Sequence, residues 1–195
     1  DDVLAAMAET PTVMPHLHMP LQSGSDRILQ AMRRSYRSDR YLGILERARK
    51  ALPDVQITTD IIVGFPGESD SQYMDLVEFL SQAQLDAIGV FGYSDEDNTE
   101  ALDLSDKVDE DIIKERVESL SRLADEMVSN RAQARIGETV RVLVEDADLQ
   151  EGRAAHQGPE VDGTTSFIDT NFAVGEYVDA VIIDSMGADL VARPL

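Results

Sequence analysis

Three short apolar segments separated by helical patterns place the strongest constraint on the fold of the first half of this chain. The segments span residues 16–22, 55–63 and 87–93, and the second is a nearly continuous β-branched run, typical of a strand covered on both faces. Between them, apolar residues recur at the spacing of amphipathic helices. This alternation predicts βαβ units and a parallel sheet with its strands in sequence order. Three strands are too few to close a barrel, so we expect an open, partial sheet with an exposed edge.

The period of the apolar pattern changes in the second half. Residues 108–136 carry one apolar stripe at helical spacing, and Gly137 is placed to end that helix. Later segments alternate between apolar and polar residues, as strands do: 139–144, 176–183 and 188–192. Short strands with glycine-rich turns predict a small antiparallel barrel. We therefore divide the chain into a sheet domain (1–107), a connecting helix (108–135) and a barrel domain (136–195).

Composition narrows the chemistry open to the chain. It has no cysteine, which excludes disulfides, thiolate nucleophiles and cysteine-held zinc or iron–sulfur sites within these 195 residues. Its three histidines are too few to favour a self-contained transition-metal site. The 17 basic and 38 acidic residues give a net charge of −21, which opposes binding to a phosphate backbone and favours basic partners. No apolar run approaches the roughly 18 residues of a membrane span, and no signal pattern opens the chain. We therefore expect a cytoplasmic protein with no membrane partner.

Polar residues near the carboxyl ends of the predicted strands suggest a ligand site. Asp60 lies within an otherwise apolar strand, where a carboxylate must be paired or face a ligand-filled cavity, and Gln22 ends the preceding strand. Ligands bind at this end of parallel α/β sheets, and two hydrogen-bonding side chains there suit a sugar diol. The turn at residues 64–67 allows close approach to a ligand, but an ordinary strand-to-helix turn explains the same residues.

Three other clusters have competing interpretations. Eight basic residues fall between Arg27 and Lys50; most suit a solvated helix face, but one arginine near the strand ends could bind a carboxylate bidentately. His16 and His18 share one face of a strand, where packed or substrate-facing histidines are favoured over a metal pair because no third ligand is in view. The acidic residues 95–97 could bind a divalent cation, but a solvated loop is favoured.

The motifs of the first half resemble those of a known family. Residues 16–25 read His-Leu-His-Met-Pro-Leu-Gln-Ser-Gly-Ser, residues 32–34 read Met-Arg-Arg, and residues 60–68 read Asp-Ile-Ile-Val-Gly-Phe-Pro-Gly-Glu. Together they resemble the later half of the radical S-adenosylmethionine barrel in methylthiotransferases. The chain that follows is similar to the TRAM domain that these enzymes carry at the C-terminus. The resemblance implies a partial TIM-like α/β barrel followed by a small, all-β, OB-like TRAM barrel.

The resemblance also implies roles for residues of the first half. By similarity, Gln22 and Asp60 bind the ribose of S-adenosylmethionine, with Ser23 beside them, and Arg34 binds its carboxylate. The backbone over residues 63–65 (Val63, Gly64 and Phe65) would flank the adenine. These implied roles agree with a diol site, an arginine clamp and a close-approach turn.

Two segments look more like the branch of the family that modifies a ribosomal protein. These are residues 90–94, Val-Phe-Gly-Tyr-Ser, and residues 158–163, Gly-Pro-Glu-Val-Asp-Gly. That branch adds a methylthio group to an aspartate of small-subunit protein twelve. The alternatives are the branch that modifies tRNA adenosine and a module that binds a ribosomal partner without chemistry.

The chain departs from the family pattern because it lacks the cysteines of two 4Fe–4S clusters. The family generates its radical at a CxxxCxxC loop and holds a second cluster in an N-terminal domain. We therefore interpret the chain as the C-terminal portion of a longer enzyme, inactive by itself, that contributes part of the S-adenosylmethionine site. In the complete enzyme, the resemblance implies methyl transfer to sulfur from one S-adenosylmethionine and hydrogen abstraction by a radical derived from a second.

The charge of the barrel domain suggests its partner. Residues 136–195 contain twelve acidic and three basic residues, whereas a barrel that binds RNA needs a basic groove and stacking aromatics. Its three aromatic residues favour core packing for at least two of them. We expect the domain to bind a basic small-subunit ribosomal protein, in preference to tRNA, through carboxylates. These carboxylates are Glu145, Asp146, Asp148, Glu160 and Asp162.

Overall fold

The computed structural model describes residues 2–159 and 163–195. Its first part is a three-stranded sheet with helices, and its second part is a closed five-stranded barrel. The elements of the first part are α1 Asp2–Glu9, β1 His16–His18, α2 Asp26–Ala31, α3 Ser38–Ala51, β2 Gln56–Val63, α4 Asp70–Ala83, β3 Ala87–Gly92, a 3₁₀ helix Glu100–Asp103 and α5 Glu110–Ala134. The barrel strands are β4 Thr139–Asp146, β5 Glu151–Ala154, β6 Thr165–Phe167, β7 Tyr177–Met186 and β8 Asp189–Pro194.

The sheet is parallel and its strands follow sequence order, β1-β2-β3, which confirms the prediction. Strand β1 is shorter than the predicted residues 16–22, and a Pro20 without a backbone N–H lies just beyond its end. The chain returns to the sheet at Gln22, which forms an isolated parallel bridge with Ile61. Tyr36 and Tyr41 hold the intervening segment, because their hydroxyls donate to carbonyls of residues 19–21.

One face of the sheet forms the core of the first part. Ile57, Ile61 and Val63 of β2 are fully buried there, and side chains of α3, α4 and α5 cover them. The covering residues that are fully buried include Leu45, Leu76, Leu80 and Leu120. Each such side chain contributes about 1.5–3 kcal/mol to folding. The opposite face carries β2 residues Thr58 and Asp60 and lines open cavities.

Helix α5 joins the two parts and fixes how they meet. Near its end, Arg131 and Arg135 approach Asp86, which precedes β3. Ala132 packs with Ile182 and Leu190 of the barrel. The barrel therefore lies toward the amino ends of the sheet strands. Gly137 follows the helix with a φ of +96°, a conformation that glycine adopts readily.

The barrel closes in the order β4-β5-β6-β8-β7. The predicted small barrel is confirmed, and its strands pair in antiparallel fashion except for β6 and β8, which are parallel. The antiparallel β7–β8 hairpin reverses the chain so that β8 runs in the same direction as β6. Strands β5 and β6 are four and three residues long and were not predicted, because so short an element shows no clear alternation.

At least two of the three aromatic residues of the barrel were predicted to pack in its core, and two of them do. Phe167 and Phe172 stack edge to face at 5.2 Å in the barrel core, whereas Tyr177 is exposed and lies against the guanidinium of Arg141.

At the other end of the chain, the sequence interpretation missed α1, whose side chains are almost all exposed and leave little apolar pattern. Among the described helices, none is long and apolar enough to cross a membrane.

Candidate functional site

A cleft of about 920 Å³ opens at the carboxyl ends of the sheet strands. Gln22, Arg34, Asp60 and Phe65 line it from the sheet side. The loop after β3 forms the opposite wall, from Ser94 to Leu104. The structure thus brings four of the seven predicted cofactor-binding residues to one cleft.

Gln22 reaches the cleft because of its backbone conformation. Its N–H donates to the Asp60 carbonyl and its carbonyl accepts from Ile62, both at 2.9 Å. Its φ of +70° is unusual for a residue other than glycine, and the two backbone hydrogen bonds to β2 stabilise this conformation. Gln22 therefore lies beside Asp60 on the same edge of β2.

Asp60 points from β2 across the open face of the sheet. Its Oδ2 lies 3.2 Å from His18 Nε2, and its side chain is 38% exposed. On β3 the residue paired with Asp60 is Gly89, and a Cβ there would lie 2.6 Å from Asp60 Oδ1. The absence of a side chain at Gly89 therefore makes the space that the carboxylate occupies.

Arg34 is an exposed cation on the cleft wall. Within residues 2–159 and 163–195, no carboxylate forms an ion pair with it, whereas the adjacent Arg33 pairs with Glu100 across the cleft mouth. Arg37 donates to the Arg34 carbonyl at 2.9 Å and so fixes the backbone beneath the guanidinium. Arg34 is therefore available for an anionic group of a ligand.

The turn after β2 is held by a buried carboxylate. Glu68 Oε2 accepts from the Gly64 amide and from Arg116 of α5, each at 2.7 Å. Burial raises the pKa of the Glu68 carboxyl, against the opposing effects of these two donors. A Cβ at Gly64 would clash with Ile113, so packing against α5 requires that glycine. This arrangement leaves Phe65 on the cleft, where its ring stacks edge to face with Tyr93 at 5.4 Å.

The other predicted cofactor-binding residues do not line the cleft. Ser23 is fully buried, and its hydroxyl accepts from the Ser25 amide at 3.2 Å. Val63 is also buried, with its carbonyl bonded to the Tyr93 amide at 2.8 Å. Ser23, Val63 and Gly64 are therefore buried beneath the cleft wall and support it without lining it.

The side chain of Lys107 stabilises the acidic loop after β3. Lys107 contacts the Asp95 carboxylate and the Ala101 carbonyl, and Tyr93 donates to Asp95 at 2.7 Å. These donors lower the pKa of Asp95. In the described ranges, no group of three or more His, Asp or Glu side chains is arranged to hold a metal ion.

The predicted docking carboxylates of the barrel differ in their surroundings. Glu145 is held bidentately by Arg153 at 2.5 and 2.6 Å, which lowers its pKa. Asp146 accepts from two backbone amides of its own turn, and Asp148 is exposed on that turn. Glu160 and Asp162 lie outside the described residues.

Comparisons with known proteins agree with this architecture. Residues 1–80 match the model of the radical SAM superfamily, and residues 136–195 match that of the TRAM domain. The fold is similar to that of coproporphyrinogen III oxidase (HemN) from Escherichia coli, described as a radical SAM enzyme. That match has a TM-score of 0.51 at 15% identity and covers 63% of this chain and 28% of that one. Residues 1–80 are therefore similar to a radical SAM domain, and residues 136–195 are similar to a TRAM domain.

Curated relatives are similar to nearly the whole of this chain. The chain is 46% identical to the ribosomal protein uS12 methylthiotransferase RimO of Saccharopolyspora erythraea and 44% identical to that of Streptomyces coelicolor. Each match covers 99% of this chain but only 40% and 41% of the relative. The chain thus spans about two fifths of the length of these methylthiotransferases.

Three residues that shape the site were not singled out from the sequence for these roles. They are His18, which contacts Asp60, Gly89, which makes room for it, and Glu68, which holds the turn. The role of Glu68 could have been predicted, because a glutamate beside a glycine-rich turn can accept a hydrogen bond from a backbone amide of that turn. Gly89 had none, because its importance depends on the cross-strand register.

Proposed function

We propose that this chain acts as the C-terminal portion of a methylthiotransferase and that its cleft binds S-adenosylmethionine. The supporting observation is the convergence of Gln22, Asp60 and Arg34 on one cleft at the carboxyl ends of parallel strands. The names of the relatives support ribosomal protein uS12 as the substrate, and the resemblance to the family implies that an aspartate is the modified residue. We place the modification in the cytoplasm.

The residues of the cleft match the parts of S-adenosylmethionine. Asp60 and Gln22 offer acceptors and an amide to the ribose hydroxyls, and Arg34 offers a bidentate donor to the carboxylate. Phe65 presents an apolar ring beside the space left for the adenine. When bound to a reduced iron–sulfur cluster, S-adenosylmethionine supplies the radical chemistry. This chain has no cysteine, so we assign the ligands of two 4Fe–4S clusters to other parts of the enzyme.

Ligand binding tests this assignment. The full-length protein would be titrated with S-adenosylhomocysteine by calorimetry, with Asp60→Ala as the variant. Loss of a charge-assisted hydrogen bond should weaken binding by about 1–3 kcal/mol. Asp179→Ala, which removes an exposed carboxylate of the barrel away from the cleft, serves as the control and should bind like the unaltered protein. Equal affinities of the Asp60 variant and the unaltered protein would show that the ribose assignment is wrong.

The barrel suggests how a protein substrate is recruited. We assign residues 1–107 to the nucleotide site, residues 108–135 to a rigid connection and residues 136–195 to docking. The excess of acidic residues in the barrel attracts a basic ribosomal protein over long range. Glu145, Asp146 and Asp148 are all exposed, but Arg153 already neutralises Glu145 and Asp146 accepts hydrogen bonds within its own turn, so we take Asp148 as the docking carboxylate to test.

A salt series tests the docking proposal. Binding of the full-length protein to purified uS12 and to tRNA would be measured from low to physiological ionic strength. The proposal requires uS12 to bind more tightly than tRNA, and the affinity for uS12 to fall as salt increases. Asp148→Lys should slow association with uS12. Tighter binding to tRNA, or binding of uS12 that is insensitive to salt, would favour the tRNA-modifying branch or an uncharged interface.

A further inference from the structure

The open face of the sheet carries a hydrogen-bonded row of side chains that ends at Asp60. His18 Nε2 lies 3.2 Å from Asp60 Oδ2, and His18 Nδ1 lies 2.9 Å from the Thr58 hydroxyl. In a neutral ring that donates from Nε2 to Asp60, Nδ1 accepts from Thr58. Thr58 is 2% exposed, so the row is anchored in the interior of the sheet.

The Asp60 carboxylate is confined on both sides. His18 contacts one oxygen, and the other lies over Gly89, in the space that a Cβ would fill. The Phe91 ring also borders that space, since it lies 3.0 Å from the same Cβ position. Removing the contact with His18 would free the carboxylate to rotate away from its present direction.

His18 itself lies behind the cleft. It lines a second cavity of about 600 Å³, whose wall also includes Thr58, Gly89 and Pro159, and it is absent from the lining of the larger cleft. Asp60 lines both cavities. His18 is therefore placed to act on a ligand in the larger cleft through Asp60, which it contacts, and not as a lining residue of that cleft.

We propose that His18 is a positioning residue that orients the Asp60 carboxylate toward the ribose hydroxyls of the bound nucleotide. This inference rests on the proposed function, since it takes Asp60 as the residue that binds the diol. Hydrogen bonds to a positioned carboxylate gain strength when the carboxylate need not be ordered on binding.

Two substitutions of His18 separate its two contacts. A glutamine amide nitrogen falls near the position of His Nε2 and can still donate to Asp60, whereas an asparagine amide nitrogen falls near Nδ1 and faces Thr58. In the full-length protein, His18→Asn should therefore weaken S-adenosylhomocysteine binding about tenfold. His18→Gln should restore binding to within about threefold of the unaltered protein.

A ligand without the diol identifies the contact that is lost. The 2′,3′-dideoxy analogue of S-adenosylhomocysteine lacks the hydroxyls that Asp60 would bind, so the unaltered protein and His18→Asn should bind it equally. An equal loss for both ligands would indicate a general structural defect and overturn the positioning role. Unchanged affinity of His18→Asn for S-adenosylhomocysteine would overturn it as well.

The controls distinguish failure of this inference from failure of the proposed function. If Asp60→Ala binds S-adenosylhomocysteine normally, the diol assignment is wrong, and the role of His18 falls with it. If Asp60→Ala weakens binding and His18→Asn does not, only the positioning role is wrong. Should His18→Asn fail to fold, Thr58→Val serves in its place, because it removes the hydrogen-bond partner of His18 Nδ1. Weaker binding of S-adenosylhomocysteine, with unchanged binding of the dideoxy analogue, would support the positioning role. Unchanged binding of S-adenosylhomocysteine would contradict it.

Discussion

Asp86 offers the sharpest test of how the two parts of the chain are held together. Its carboxylate is 4% exposed and accepts from the Ile57 amide at 2.9 Å. It also accepts two hydrogen bonds from Arg131, at 3.0 and 3.1 Å, and lies 3.5 Å from Arg135. One side chain thus links the start of β2 to the end of α5, where the barrel begins.

We expect Asp86→Ala to lower the free energy of unfolding by about 3 kcal/mol. The buried Ile57 amide loses its side-chain acceptor, which costs about 1–3 kcal/mol. Breaking a buried ion pair costs about 3–5 kcal/mol. Here the cost is smaller, because Arg131 is a third exposed and Arg135 keeps Glu138 at 3.0 Å.

Urea denaturation followed by circular dichroism measures this effect. With a slope of about 2–3 kcal/mol per molar urea, a loss of 3 kcal/mol moves the midpoint by about 1 M. The matched control is Asp179→Ala, which removes an exposed pair with Arg141 at 3.8 Å and should cost less than about 0.5 kcal/mol. If the two variants unfold at similar urea concentrations, the role assigned to Asp86 is wrong.

Three further predictions concern stability. Burial raises the pKa of Tyr41 to about 12 from 10.0, so this tyrosine keeps its proton in the folded state while the unfolded chain loses it. Stability should fall by about 2 kcal/mol between pH 10 and 12, and Tyr41→Phe should remove that part of the fall in a pH series of urea denaturations. Gly152→Ala should cost about 3 kcal/mol, because the added Cβ clashes with the Leu143 carbonyl; a normal thermal midpoint would contradict this. Gly43→Ala should instead raise stability by about 0.5–1 kcal/mol, since it lies within α3 and its Cβ would meet only the flexible Arg47 side chain; a lower midpoint would contradict this.

The sheet was predictable from sequence because its pattern is local. The β-branched run at residues 55–63 became β2, and Ser69 caps α4 in a capping box with Gln72, as a serine before an apolar helical stripe suggests. The open face was also foreseeable from Asp60, a carboxylate inside an apolar strand. The local periodicity of apolar residues was therefore enough to predict most of the strands and helices of the sheet domain.

The details that were missed depend on contacts between distant residues. The parallel β6–β8 pair follows from closure of the barrel, which no local pattern encodes. The contact of His18 with Asp60 spans two strands and depends on their register. Ser23 and Val63 share a motif with residues of the cleft, yet the geometry turns both into the interior.

The substrate assignment is tested most directly in cells that lack this protein. Intact ribosomal protein uS12 and total tRNA would be purified from the deletion strain and its parent and compared by mass spectrometry. The account predicts that uS12 from the deletion strain lacks one methylthio group and that the tRNA is unchanged. An unchanged uS12 together with loss of a methylthio group from tRNA would contradict it.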